Sequence, residues 1–321
     1  MHIVLIYSDY KKLLETSVLV NEHDAEQMEN TLKTVSNGLK NLGHKVTHVE
    51  ATTTMLSEIE QLGEVDVLFS LTTGVGEKRY QANIIGMLEV LNIPIVGSGL
   101  STHVFALNKE VTKIMLRDAG IRTAKSQLFV NGTEKIRDDF TFPVLVKPEH
   151  EGASVGIDDD SYVKDPGMLR DIIISKIEKY NGYILAEEFL PGREFTVGVW
   201  GNEELEALPV KEYVYKTNSD INMLTAEVKG EDLVDYTCPA DIDEELEREL
   251  KEMAIASYNT LRCRGFARID MRLDSSGRPN VLELNTLPGL QIGYSDFPIA
   301  AKAAGYSYEE MLKKLIELAV E

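Results

Sequence analysis

The stretch Gly265–Pro288, GFARIDMRLDSSGRPNVLELNTLP, carries the residues best suited to chemistry. Along Phe266–Leu273 the side chains alternate, so a strand there puts Arg268, Asp270 and Arg272 on one face. Ile269, Met271 and Leu273 take the other. Val281–Asn285 alternates in turn, with Glu283 and Asn285 sharing a face. Ser275, Ser276 and Gly277 supply turn chemistry between the two runs. A hairpin folded about Ser276–Gly277 sets Asp270 opposite Glu283 and Arg268 opposite Asn285. Carboxylates directly across a ladder stand about 5 Å apart and repel each other. A divalent cation removes that repulsion, and Asp, Glu and Asn offer only oxygen ligands, which suits Mg²⁺. The competing reading is a solvated polar face on an edge hairpin; the apolar opposite face argues for a packed one.

Two further segments have weaker signals. Phe142–Pro148 is an apolar run ending in Lys147, followed by Glu151–Gly156 (EGASVG). A lysine at a strand end before a loop with two glycines and a serine can hold phosphate oxygens, through its charge and the loop N–H groups. A plain strand end and turn fits the same residues, and no GxxxxGK[ST] loop is present. Ile184–Val197 runs from an apolar strand through Pro191-Gly192 and is flanked by Glu187, Glu188 and Glu194. It offers an apolar wall to a flat base, with Glu194 placed for a ribose diol; by itself it also reads as strand–turn–strand.

These segments need elements to position them. Strands over Ile3–Tyr7, Lys45–Val49, Val65–Ser70 and Ile93–Val96 alternate with helices over Asp24–Leu42, Ser57–Leu62 and Ile84–Leu91. Met28, Leu32, Val35 and Leu39 have helical spacing, and Gly43 follows as the residue past the helix end. Strand–helix alternation predicts a parallel sheet covered by helices. Beyond Ser101 come two short helices split near Asn108, then a small α+β unit with strands Phe142–Lys147 and Tyr183–Phe189 and a helix over Met168–Lys179. The rest is read as strands Glu194–Trp200 and Leu208–Tyr215, a polar segment Lys216–Asp235, a helix Asp243–Leu261, the hairpin and a helix Ser307–Val320.

Composition excludes several classes. The 321 residues are 43% hydrophobic and 27% charged, ordinary for a globular chain of two or three domains. The net charge of −20 repels phosphate backbones and anionic membranes, so nucleic acid and membrane are not expected partners. No run of apolar residues is long enough to span a bilayer or to form a signal peptide. Cys238 and Cys263 do not form a disulfide framework or a zinc site, and the six histidines lack ligand spacing. A soluble cytoplasmic protein is the expectation.

Taken together the segments are specific. Lys109, Val146-Lys147-Pro148, EGASVG, EEFLPGREFTV from Glu187, YTCPA from Tyr236, GFARIDMRLD and LELNTLPG occur in order. From about Ser70 to the C-terminus this resembles the ATP-grasp carboxylate–amine ligases, most closely the D-alanine–D-alanine ligase group. The resemblance implies an α/β and α+β fold: an N-terminal parallel α/β domain (1–100), a central lid (101–190) and a C-terminal α+β domain with the Mg site (191–321). It implies ATP and two Mg²⁺ ions as cofactors. Lys109 and Lys147 would then contact the phosphates under the loop that carries Ser154, with Lys229 reaching the γ-phosphate. Glu187, Phe189 and Leu190 would meet adenine and Glu194 the ribose. Asp270, Glu283 and Asn285 would hold the metals, and Arg268 with the Gly289 backbone would face the developing oxyanion. For Lys147 the only neighbouring substitutes expected are Lys109 and Lys229.

The implied reaction is ATP-dependent amide formation between two small amino-acid-like substrates through an acyl phosphate. A non-catalytic ATP-binding regulatory module of the same fold is the alternative, and a homodimer is left open. The sequence departs from the family around the substrate. Tyr7-Ser8-Asp9-Tyr10 and an insertion replace the family's N-terminal glutamate segment, with Asp24 or Glu26 as stand-ins for its carboxylate. Ala153 replaces a serine and Gly230 the tyrosine after the loop lysine, while Ser295 remains for a substrate's terminal carboxylate. The expectation is intact ATP chemistry and altered substrate choice.

Overall fold

The computed structural model describes residues 1–14, 22–72, 79–150, 158–216 and 234–321. Three parallel strands, β1 (His2–Tyr7), β2 (Lys45–Glu50) and β3 (Val67–Ser70), lie in the order β2-β1-β3. The helices nearby are α1 (Tyr10–Leu14), α2 (Glu22–Asn41), α3 (Met55–Gln61) and α4 (Arg79–Glu89). β1 is apolar on both faces because both are covered. Ile3 and Leu5 pack with Val35 and Leu39 of α2, whereas Val4 and Ile6 pack with Met55, Ile59 and Leu88. Gly43, at φ 83°, donates back to the Lys40 carbonyl and ends the α2 turn. The strand expected at Ile93–Val96 is reduced to a single parallel bridge between Leu68 and Ile95. Pro94 has no N–H for a ladder, and Gly97 at φ 96° turns the chain away.

Helices α5 (Leu100–Leu107) and α6 (Lys109–Asp118) are split at Asn108, whose backbone is extended. They lead into an antiparallel sheet of order β4-β7-β5-β6, built from β4 (Ser126–Phe129), β5 (Val144–Pro148), β6 (Tyr162–Val163) and β7 (Ile184–Glu188). Helix α7 (Leu169–Tyr180) covers one face with Ile173 against Val144, Val146, Ile184 and Ala186. The alternation that buries those residues turns Lys147 and Glu187 to the other face.

The last sheet has the order β11-β10-β8-β12-β13, with a short strand on β8. Its strands are β8 (Glu194–Trp200), β9 (Glu206–Ala207), β10 (Lys211–Tyr215), β11 (Val234–Thr237), β12 (Phe266–Leu273) and β13 (Pro279–Asn285). β10 starts three residues later than expected. Helix α8 (Glu244–Thr260) packs Leu250, Ala254 and Tyr258 on Val197, Ile269 and Met271. Ala106 and Leu116 from α5 and α6 join that same core. A helix not read from the sequence, α9 (Asp296–Ala303), precedes α10 (Tyr308–Val320). Its signals were present: Ser295 at the N-cap, an acidic first turn and Pro298 within that turn. Phe297 and Met311 share a core with Leu5 and Phe69 of the first sheet, so the chain's two ends are packed together.

The hairpin register comes from two offsets that cancel. Near the turn Leu273 faces Pro279 and Met271 faces Val281, which centres the turn on Ser276. A bulge then passes over Leu282, and beyond it Asp270 faces Glu283 and Arg268 faces Asn285. The bulge also explains why Val281 and Leu284, three residues apart, both enter the core. No helix among the described residues is long and apolar enough to cross a membrane.

Candidate active site

Cross-strand pairing aligns the polar face of the last sheet into rows. One row reads Lys211, Thr196, Asp270 and Glu283 across β10, β8, β12 and β13. The row on one side reads Gly198, Arg268 and Asn285, and on the other Tyr213, Glu194, Arg272 and Asn280. Arg268 clasps Asp270 through Nε at 2.9 Å and Nη2 at 2.7 Å, and donates from Nη1 to Asp296 at 2.8 Å. Thr196 Oγ1 donates to Asp270 at 2.6 Å. A guanidinium has five N–H groups, so Arg268 keeps donors for a further oxygen.

The carboxylates of Asp270 and Glu283 are bridged by Asn285, whose Nδ2 lies 2.9 Å from Asp270 and 3.4 Å from Glu283. The side-chain amide carries an oxygen as well as the NH₂ group, and turning it over presents that oxygen alongside the two carboxylates. This donor set fits Mg²⁺, which takes one or two carboxylates and completes its shell with phosphate and water. Among the described residues no three His, Cys, Asp or Glu side chains gather into a metal cage.

Facing these carboxylates is a buried lysine group. Lys147 of β5 pairs with Glu187 of β7, its diagonal neighbour on the sheet. Lys113 of α6 is fully buried and lies 2.9 Å from the same carboxylate and 2.9 Å from Thr123 Oγ1. Burial pushes the Glu187 pKa up, but the two ammonium charges outweigh it and hold the group well below the usual carboxylate range. Burial lowers the pKa of Lys109 and Lys113, whereas at Lys147 the Glu187 and Glu283 charges win and raise it. Lys109 Nζ donates to the Glu149 carbonyl at 3.0 Å, and the Glu149 carboxylate accepts from the Glu110 N–H at the start of α6. Lys109, His150, Glu283 and Asn285 line one cleft.

The Glu187 carboxylate, at the start of the linker expected to meet adenine, pairs with Lys147 and Lys113, because β-alternation puts it on the same sheet face as Lys147. Lys113 is a further cation at Lys147, missed although Lys109 and Lys113 at i, i+4 share a helix face. Glu194 accepts from Tyr215 Oη at 2.6 Å and pairs with Arg272 at 3.2 Å. Arg272 also lies 4.9 Å over the Phe189 ring, and Leu190 is buried beside that linker. Gly192 has no alternative there, since a Cβ would sit 2.6 Å from the Leu273 Cβ. Gly289 abuts Ser295, whose Oγ would lie 2.7 Å from an added Cβ and which accepts from the Gln291 N–H. Ser154 and Lys229 lie outside the described residues, as does the side chain of Asp24, whose backbone belongs to α2.

His103 was set aside with the other histidines, yet it is buried beneath the site. Gln81 Nε2 and Thr286 Oγ1 each lie 2.8 Å from its Nδ1. Burial lowers its pKa to about 4, from 6.5 in the unfolded chain. The unfolded state therefore binds the extra proton between those values, and stability is lost as pH falls through that window. The expected loss is about 3 kcal/mol by pH 4. Urea unfolding at pH 7 and pH 4.5 should show it, with a flatter dependence in His103→Gln; an equal slope in both proteins refutes the assignment.

A lysine-bearing antiparallel sheet whose Lys147 is coupled to Glu283 of a carboxylate-bearing sheet, with Lys109 and Glu283 in one cleft, is the arrangement of the ATP-grasp class. Residues 111–317 match the family model described as D-ala D-ala ligase C-terminus. The chain is 32% identical over 317 residues to a D-alanine–D-alanine ligase of Cupriavidus pinatubonensis, covering 97% of this chain and 93% of that one. An uncharacterised protein of Sinorhizobium fredii is 34% identical over 291 residues, covering 88% and 84%. The D-alanine–D-alanine ligase of Bacillus anthracis solved with ATP superposes with a TM-score of 0.76 at 22% identity, over 100% and 97% of the chains. The VanG D-Ala:D-Ser ligase of Enterococcus faecalis gives 0.77 at 23%, over 99% of each. The chain belongs to the D-alanine–D-alanine ligase family, and it is an ATP-dependent, ADP-forming ligase. Nothing in these comparisons favours the non-catalytic module.

Proposed function

We propose that the protein joins two small amino-acid-like substrates other than a pair of D-alanines, using three units at 1–100, 101–190 and 191–321. The observation that carries the mechanism is the Thr196–Asp270–Glu283 row, bridged by Asn285, with Lys109 in the same cleft as Glu283 and buried Lys147 coupled to that carboxylate. Bound ATP with Mg²⁺ supplies the phosphoryl group that converts a substrate carboxylate into an acyl phosphate. Asp270, Glu283 and Asn285 would hold two ions, with Glu283 shared. Lys109 and Lys147 would neutralise phosphate oxygens, joined by Ser154 and Lys229 by resemblance. Lys113 leaves the lysine–Glu187 group with a net positive charge toward the cleft. Glu187, Phe189 and Leu190 would meet adenine, with Glu194 at the ribose. The spare N–H groups of Arg268 and the backbone N–H of Gly289 would hold the oxyanion that forms when the amine attacks. Two free cysteines, Cys238 and Cys263, suit a reducing cytoplasm.

Substrate choice rests on the altered positions. Ala153 and Gly230 each lack a side-chain hydrogen bond that the family has, and the N-terminal glutamate segment is replaced; Ser295 stands beside Gly289, and Asp24 is the stand-in carboxylate. Charge-assisted bonds contribute roughly 1.5–3 kcal/mol each, about one to two powers of ten in selectivity. ATP-dependent phosphate release with D-alanine alone, set against a panel of L- and D-amino acids and their pairs, is the test. A larger substrate should give the highest kcat/KM; D-alanine at the top of the panel would show that the lost contacts are replaced elsewhere.

A further inference from the structure

Arg268 is gripped from two sides, and the two grips differ in what else they must do. Asp270 holds Nε and Nη2 but is also the carboxylate that joins Glu283 and Asn285 in the metal set. Asp296, the first residue of α9, holds Nη1 at 2.8 Å and belongs to no metal set. Its other oxygen accepts from Lys211, which stands in the same cross-strand row as Asp270. Lys211 is 3% exposed, and its ammonium lies 4.6 Å and 4.3 Å from the ring centroids of Tyr213 and Tyr236. Two aromatic faces and a carboxylate fix that charge in place. Burial pushes the Asp296 pKa up, but Arg268 and Lys211 outweigh it and keep the carboxylate ionised.

A cation drawing on the Asp270 oxygens weakens their hold on the guanidinium, because the same lone pairs and the same charge serve both. We propose that Asp296, itself held by Lys211, is the positioning residue that keeps Arg268 in place once Asp270 is engaged by metal. Lys211 also offsets the negative charge that Asp296 brings to a site that must accept a triphosphate. This rests on the ligase reading of Arg268 and of the metal set. Tyr213 and Tyr236, opposite each other on β10 and β11, wall the arrangement in.

The test uses the full chain as Asp296→Asn, Asp296→Glu and Lys211→Met, with folding checked by thermal melting. In phosphate release with ATP, Mg²⁺ and the most active amino-acid pair, Asp296→Asn should lose about tenfold to a hundredfold in kcat, with the KM for ATP within about twofold. Asp296→Glu should recover part of it, and Lys211→Met should resemble Asp296→Asn. The second readout is the Arg268 Nη1–H resonance, which marks the bond to Asp296 and is assigned by its loss in Arg268→Lys. In wild type it should stay protected from exchange with and without Mg²⁺–ADP. In Asp296→Asn it should be protected without metal, where Asp270 still fixes the guanidinium, and exchange rapidly once Mg²⁺–ADP is added. Protection that survives Mg²⁺–ADP in folded Asp296→Asn, or an unchanged kcat, overturns the proposal. A wild type with no amino-acid-dependent phosphate release overturns the ligase reading instead, and the resonance then decides the role of Asp296 alone.

Discussion

Replacing Glu283 with Gln is expected to leave the fold intact and to lower kcat by about a hundredfold or more. Glu283 is half-buried on the polar face, past the bulge at Leu282, and the core contacts of β13 come from Val281 and Leu284. The substitution keeps size and hydrogen-bonding capacity and removes one of two charges that oppose each other across the ladder. Stability should change little, since relief of the repulsion from Asp270 is set against loss of the charge that faces Lys109 and Lys147. The metal set, by contrast, loses the carboxylate proposed to serve both ions, and an amide is a weaker partner for a hard cation. Thermal melting with and without Mg²⁺, alongside a Mg²⁺ titration of turnover, measures both sides. Near wild-type kcat in a folded Glu283→Gln protein would sink the two-metal reading.

Lys147→Ala should abolish ATP-dependent turnover at a modest cost in stability. The loss of a buried cation is ordinarily severe because its partner is left unpaired. Here Glu187 keeps Lys113 at 2.9 Å, so the expected loss is about 1–3 kcal/mol. The nucleotide loses more, because Lys147 is the less buried of the two, its side chain 10% exposed against 0% for Lys113, and it is the one coupled to Glu283. Lys113→Ala should show the reverse weighting, with a larger drop in Tm than in kcat. Thermal melting and ATP titrations of the two variants separate the roles. Activity retained in Lys147→Ala would mean that this strand end does not meet the phosphates.

Most elements are legible in the sequence, and the misses share a cause. Helices α2, α6, α8 and α10 have apolar spacing and end signals that local chemistry sets, such as Asp243 and Ser307 as N-caps whose side chains accept helix N–H groups. Helix α9 is the shortest of these cases: Phe297, Ala300 and Ala301 fall at i, i+3 and i+4, but eight residues give that stripe only one repeat, and its burial comes from distant partners. The Ile93–Val96 segment failed in the opposite sense: it has a strand's composition, but Pro94 supplies no N–H, so pairing stops at the bridge made by the Val96 N–H and the Pro94 carbonyl with Leu68.

The site divides along the same line. The sequence by itself determined which groups exist: an arginine and a carboxylate on one strand face, and a carboxylate and an amide on the next, since period-two alternation needs no partner to be read. It did not determine the hairpin register, which depended on a one-residue turn shift and a bulge that compensates it. Nor did it join Lys113 to Glu187 or Asp296 to Arg268, pairs separated by 74 and 28 positions, whose meeting depends on how sheets and helices stack. Such contacts form only because burial leaves each charge no water to turn to, so its nearest partner in space, not in sequence, decides what it does.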